Sequence, residues 1–444
     1  MSHSTVFGNR DFLLLWSGNA ASHIGLHGAR LAYPLLALIL TDSPASASWV
    51  AFAIAVPSIV FEVPAGVISD FWDRRSILIL CQRTGLVATL LAGAVIILRP
   101  PGLTLFLAMA AFVECMAYIF FNASELGLIR DVISEGERPA AFAFLEAEQP
   151  IANMAGRALG AAALGLARSL PFLANAASYL FCLWTLSKIS ERGRAQSISA
   201  RPARIWEWTH VSAGIRALWS DVFLRQATAI FTATNAIFQI FIVLIAVVLR
   251  GGGHPAWVVG MVLGASGLGG LFGAAPAAIF GTRVGPRLVV AASLWAWTPL
   301  FMLIVVSTNP MLIAIGWAGA GFVGVAGNVA LTLYRVRAFP EELIGRIYSA
   351  IKLLSHGGTA VGALLSGVLL SALGPTATGW LLVVVTIVLA RRARHIPDPG
   401  PPLAPPLITS PPALPSGPAQ APRPANWIAG LSRTVSNPEG HQGD

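Results

Sequence analysis

The sequence predicts an all-α membrane protein, with twelve transmembrane helices in two pseudo-symmetric six-helix bundles. Three observations carry this. Hydrophobic residues make up 55% of the chain and charged residues 11%, where ordinary globular proteins carry roughly 25% charged residues. A mean hydropathy of +0.71 over 444 residues describes a chain solvated mostly by lipid. Basic residues cluster in alternate loops, and the second half of the chain repeats features of the first at a fixed offset.

A crossing needs about 20 mostly apolar residues. The first span, near 12–40, follows polar residues and Arg10 and runs far beyond a signal peptide's apolar stretch without a small-residue cleavage site, so it is a retained helix. His23, His27 and Arg30 lie four and three apart on one of its faces. The second span, 48–69, contains Glu62 and ends abruptly in Asp70-Phe71-Trp72-Asp73-Arg74-Arg75, a tight basic hinge before the third span at 76–98. The fourth, 102–124, carries Glu114, with Tyr118, Phe121 and Glu125 along the same stripe. The fifth, 140–168, contains Glu146, Glu148 and Arg157; Glu146 and Arg157, eleven apart, share a face. The sixth lies at 170–189.

A polar stretch, 190–221, separates the N-terminal bundle (1–189) from the C-terminal bundle (222–394). Apolar residues at 205, 208, 211, 215, 218 and 219 keep a helical spacing there, which fits an interfacial helix with Trp at headgroup level. The remaining spans fall near 222–249, 256–280, 286–307, 310–334, 343–372 and 374–391. The seventh carries Asn235 and Gln239, and the eleventh Lys352 and His356. In the eighth, Gly260/Gly264 and Gly269/Gly273 have the four-residue spacing that lets membrane helices approach closely. The tail, 395–444, is rich in proline and cannot build a core; it is expected to be disordered.

Charge gives an independent test of the count. Clusters lie at Arg74/Arg75, Arg130/Arg138, Lys188 to Arg216, Arg283/Arg287, Arg335/Arg337/Arg346 and Arg391/Arg392/Arg394, whereas the opposite loops carry only Arg99, Arg168 and Arg250. The positive-inside rule then places both termini in the cytoplasm. A shift of 212 positions (282 − 70) brings Asp70–Arg75 onto Thr282–Arg287, and His23 and His27 onto Asn235 and Gln239. Internal duplication of this kind marks secondary transporters, with a substrate site between the halves near mid-membrane.

Several function classes are excluded. The only lysines, Lys188 and Lys352, stand in no phosphate-binding loop. The glycine run Gly260 to Gly273 lies within a span and lacks the strand and acidic residue of a dinucleotide site. Neither Gly-x-Ser-x-Gly nor His-Glu-x-x-His occurs, so an enzyme is not expected. The net charge of +9 is scattered among loops, against a nucleic-acid partner. Cys81, Cys115 and Cys182 sit singly in apolar segments, and His23 and His27 have no Asp or Cys neighbour in sequence, so neither metal nor cofactor is expected.

Charges inside spans cost at least a few kcal/mol each unless they are paired or face a wet cavity. A rise of about 1.5 Å per residue puts His27, Glu62 and Glu114 near mid-membrane and Arg30 and Arg157 slightly outside it. Two readings compete: Glu/Arg pairs that lock helices together, or a proton-binding acid at Glu114 or Glu62 whose titration follows the opening of the cavity.

The stretch Gly66-x-x-x-Asp70-x-x-x-Arg74-Arg75 resembles the signature loop between helices two and three of the major facilitator superfamily. Arg283-x-Gly285-x-Arg287 is similar to its degenerate second copy. Phe339-Pro340-Glu341-Glu342-Leu343-Ile344-Gly345-Arg346-Ile347 and Leu128-Ile129-Arg130-Asp131-Val132-Ile133 resemble elements of the branch that includes enterobactin and macrolide exporters. The resemblance implies alternating access around a cavity lined by helices one, four, seven and ten, which favours Arg30, Glu114, Asn235 and Gln239. It also implies a cytoplasmic latch of Gly66, Asp70, Arg74, Arg75, Gly345 and Arg346.

The sequence departs from the pattern at Phe71 (usually Arg), Asp73 (usually Gly) and Arg157 (usually Pro), and lacks the branch's early acid in helix one. A basic cavity wall favours a neutral or anionic substrate. The resulting expectation is a monomeric, proton-coupled exporter of a small amphipathic drug or secondary metabolite in the plasma membrane. Two alternatives stand beside it: an importer of an organic anion anchored by Arg30 and Arg157, and a non-transporting sensor or scaffold that signals through the tail.

Overall fold

The computed structural model describes residues 8–133, 138–189, 216, 218–280, 285–338 and 341–397. Most of the expected interfacial helix at 205–219, the segment 281–284 and the Pro-rich tail from 398 onward lie outside them. Helix α1 (Arg10–Thr41) starts where Asn9 accepts from the Phe12 amide, and Asn9 Nδ2 also ties it to the Val132 carbonyl at 3.1 Å.

The second crossing is broken into α2 (Pro44–Val60) and α3 (Glu62–Phe71), bent by 48°. Proline supplies the cause. Pro64 has no N–H for the Val60 carbonyl, and its ring crowds the same carbonyl, so the helix breaks within that turn. The break leaves Glu62 in the first turn of α3, where a negative charge is favourable.

Helix α4 (Arg74–Leu98) is capped by Asp73, which accepts from the Ser76 amide at 2.9 Å. The residue that departs from the signature is therefore a helix N-cap. Helices α5 (Leu103–Val132), α6 (Arg138–Leu166) and α7 (Leu170–Lys188) complete the first half. The second half contains α8 (Val222–Gly251), α9 (Ala256–Phe280), α10 (Pro286–Val306), α11 (Pro310–Ala338) and α12 (Glu341–Ala393).

Helix α12 is two crossings. An unbroken helix over the 47 residues from Ile347 to Ala393 would be about 70 Å long, more than twice the hydrocarbon thickness. It breaks at Gly374 (φ 77°, ψ 169°), a backbone conformation that glycine alone adopts without strain, and Pro375 follows. Thr378 Oγ1 donates across the break to the Leu369 carbonyl at 3.0 Å.

Among the described residues nine helices are long and apolar enough to cross a membrane, ten with the bent pair. Splitting α12 adds one. Helix α6, apolar only over Ile151–Leu166 and charged before that, makes the twelfth.

Even crossing number puts the start of α1 and the end of α12 on one side, here the terminal side; the other is the far side. Among the described residues the halves meet chiefly along two seams, α2 with the first arm of α12 and α6 with α9. On the far side, Ser48 and Ser366 share a hydrogen bond at 2.8 Å, and Gly367 faces Ser48. Gly260 of α9 faces Ala161 of α6 so closely that an added Cβ would overlap it. Gly269 and Gly273 instead face Ala318 and Phe322 of α11, inside the second half. The largest hydrophobic core runs through the second half and continues into the far-side ends of α1, α4, α5 and α6. Among the described residues, the terminal-side core of the first half (Phe12, Ile77, Ile129, Leu186) contains none from the second half. The described residues of the two halves thus share one core on the far side and form separate cores on the terminal side.

Candidate functional site

The polar face of α1 organises the first half. Asn19, Ser22, His23, His27, Arg30 and Tyr33 recur at helical spacing and point into the bundle, and all but the half-buried Arg30 are buried. Glycines bring α6 against this helix. A Cβ on Gly156 would overlap the Ile24 carbonyl, and one on Gly160 would overlap the Gly28 backbone. The two helices therefore pack backbone to backbone, and Arg157, next to Gly156, comes within electrostatic reach of Arg30 and His27.

Glu114 is fully buried and saturated. It accepts from Tyr33 Oη and Tyr179 Oη, each at 2.7 Å, and from Asn175 Nδ2, which also donates to Thr89 at 3.2 Å. These donors come from α1 and α7, and Thr89 of α4 backs Asn175, so Glu114 is enclosed within the first bundle. Arg30 does not pair with it. The Arg30 Nε donates to Cys115 Sγ at 3.2 Å, and the guanidinium lies over the Tyr118 ring, 4.4 Å from its centroid.

A second cluster lies two to three turns toward the terminal side. His23 Nδ1 is 2.9 Å from Glu148 Oε1, and its Nε2 is 3.9 Å from Glu125 Oε2. Asn19 Nδ2 donates to Glu125 Oε1 at 2.5 Å. The side chains of all three titratable groups are at most 6% exposed. Glu148 Oε2 and His23 Nε2 have no hydrogen-bond partner among the described residues. Such a cluster carries a net −1 when the imidazole alone is protonated and is neutral with one proton more, so its charge is set by its proton count. Tyr118 joins the two regions: its hydroxyl donates to Gln149 Oε1 at 3.1 Å, its ring packs edge-on against His23 and His27, and its face holds Arg30.

Across the interface, Lys352 on α12 makes an ion pair with Glu62 on α3. His356, one turn further along, lies within electrostatic reach of Lys352, Glu62 and Arg30. Asn235 and Gln239 are half-buried on α8 without a hydrogen-bond partner among the described residues. The core behind them is aromatic, with Phe238 against Trp297, Phe301 and Trp317. Titratable groups are thus concentrated in the first half.

At the hinge, Arg75 reaches the end of α7, donating to the Leu186 carbonyl at 2.8 and 3.2 Å, which satisfies a free helix carbonyl. Arg74 reaches the Ser69 and Gly127 carbonyls at 3.4 Å. Gly66 has open space around it. The side chains of Asp70, Glu146, Gly345 and Arg346 lie outside the described residues.

Glu125, Glu148 and Tyr118 were not among the site residues expected from sequence. A signal for two of them existed, since Tyr118 and Glu125 share the Glu114 stripe. Among the described residues no group of three His, Cys, Asp or Glu side chains is arranged to hold a metal ion.

No curated protein matches the sequence. Solved structures do. A crystal structure of the nucleoside transporter NupG is 14% identical, covers 87% of this chain and 98% of its own, and has a TM-score of 0.69. A bacterial homologue of the iron transporter ferroportin in its inward-facing state is 15% identical over 87% and 99%, with a TM-score of 0.66. A POT family transporter in complex with 5-aminolevulinic acid is 11% identical over 86% and 95%, with a TM-score of 0.68. These likenesses establish the fold. The family description Major Facilitator Superfamily matches residues 15–273 and again 253–438. Two six-helix halves and a match over nearly the whole length agree, and the chain belongs to the Major Facilitator Superfamily, a family of membrane transporters.

Proposed function

We propose that the chain exports a small amphipathic molecule across the plasma membrane by alternating access, with protons moving inward in exchange. In this reading the terminal side is the cytoplasm, because the arginine clusters of the hinge and of the α12 end fall there. The outward direction rests on the resemblance of Leu128–Ile133 and Phe339–Ile347 to exporters. The shared far-side core and the separate terminal-side cores support a state closed to the outside, from which rocking of the halves would expose the interface alternately.

The observation that carries proton coupling is the His23–Glu125–Glu148 cluster. A sealed group of one base and two acids is held at a net charge only at a cost of several kcal/mol, so its proton count follows its access to water. Tyr118 links that count to Arg30 at the interface.

The test is reconstitution of the full chain in proteoliposomes with an imposed pH gradient and a panel of amphipathic compounds, with pyranine inside to report protons. Cargo movement against proton movement is expected, and Glu148→Gln is expected to equilibrate cargo while ignoring the gradient. A wild-type rate indifferent to the gradient, or a Glu148→Gln rate that still follows it, overturns the coupling. A second reading, import of an organic anion, is favoured by the two arginines at the interface. It is distinguished by cargo and protons moving in the same direction.

A further inference from the structure

Two guanidinium groups, on membrane-spanning helices, have no ion-pair partner among the described residues. Arg30 offers five N–H donors, of which only Nε has a hydrogen-bond partner among the described residues, a weakly accepting cysteine sulfur. Arg157 has no hydrogen-bond or ion-pair partner among the described residues. Each described acid near them is already engaged: Glu114 with Tyr33, Tyr179 and Asn175, Glu62 with Lys352, and Glu125 and Glu148 with Asn19 and His23. Three more basic groups, His27, Lys352 and His356, belong to the same electrostatic neighbourhood.

The fold itself brings like charges near one another here. Gly28, Gly156 and Gly160 bring the α1 and α6 backbones into contact, and this puts Arg157 within electrostatic reach of Arg30. Bare guanidinium groups in a membrane interior cost several kcal/mol each unless an anion or water meets them. Both side chains are half-buried, so each keeps part of its surface accessible. A planar fork suits a carboxylate or a phosphate, which accepts two parallel N–H bonds.

We infer that the cargo carries a carboxylate or phosphate group, and that Arg157 and Arg30 hold it between the halves. This rests on the transport reading above and names its substrate class. The Tyr118 ring fixes the Arg30 guanidinium plane, so Arg30 is pre-oriented for the anion. Asn235 and Gln239 provide a neutral polar wall on α8 for the remainder of an amphipathic molecule.

Thermal unfolding of the purified full chain tests this with defined probes: 2-naphthoate, 2-naphthyl phosphate, the neutral isostere 2-naphthamide, and chloride alone. At roughly a hundred times its Kd, at least one of the naphthyl anions is expected to raise Tm by about 2–4 °C. Naphthamide and chloride are expected to leave it unchanged. Arg157→Gln is expected to abolish the shift while folding normally, and Arg157→Lys to keep part of it. No shift from either naphthyl anion, an equal shift from the amide, or a full shift in Arg157→Gln overturns the inference. A shift reproduced by chloride overturns it as well, since the site would then hold a small counter-ion. Loss of gradient-driven transport with these shifts intact would remove the transport reading and leave the anion site standing.

Discussion

Glu114 and Glu148 are both acids inside spans, yet their surroundings assign them different work. Glu114 receives three donors and has no open path, so replacing it leaves Tyr33, Tyr179 and Asn175 facing a group that cannot accept from all of them. Glu114→Gln is expected to lower stability by about 1–3 kcal/mol, read as a fall in Tm, while gradient dependence persists. Glu148→Gln is expected to show the reverse, with little change in Tm and no gradient dependence. Asp73 has a third role. As the cap of α4 it satisfies the Ser76 amide, so Asp73→Ala is expected to cost about 1 kcal/mol and Asp73→Ser almost nothing, by thermal unfolding. Helical spacing in the sequence makes the stripes 23/27/30 and 114/118/121/125 legible. It does not say which residue of one stripe meets which residue of another helix. The pairing of His23 with Glu148 depends on how deeply Gly156 and Gly160 let α6 approach α1, and that is a property of packing.

At the scale of elements, the sequence shows crossings by apolar length and charge, while breaks inside them depend on local backbone chemistry. The second span reads as one apolar run from 48 to 69, and its bend follows from Pro64 acting on the Val60 carbonyl. The break at Gly374 was legible because two spans were needed to account for its length. Glycines separate two kinds of function. Gly160 touches the Gly28 backbone, so Gly160→Val is expected to push α6 off α1 and abolish folded, monodisperse protein in size-exclusion chromatography. Around Gly66 an added Cβ meets nothing within 4 Å. Gly66→Ala is therefore expected to leave Tm unchanged. If its turnover nevertheless falls, the glycine is needed in the opposite state, where the hinge closes against the start of α12; unchanged turnover would remove Gly66 from the latch.

For the whole molecule, the proposed alternating access asks what would let the two halves rock. On the far side they are joined by a continuous core, by the Ser48–Ser366 hydrogen bond and by glycine contacts between α6 and α9. Toward the terminal side the described cores separate, and the Glu62–Lys352 pair is the link between α3 and α12. That pair is about one-third exposed, so solvent screening limits its contribution to at most about 1 kcal/mol. A weak ionic link opposite an apolar seam suits the proposed exchange between two states, because the terminal-side link costs little to break. Alternating access then requires the far-side seam to open in every cycle. The three native cysteines are buried, so a Ser48→Cys/Ser366→Cys pair can be oxidised without interference from exposed thiols. Cross-linking is expected to stop transport and reductant to restore it, with each single substitution active throughout. Full activity in the oxidised double variant would mean that the α2–α12 seam stays shut during transport, and the rocking mechanism would have to be abandoned for one in which cargo passes within a single half.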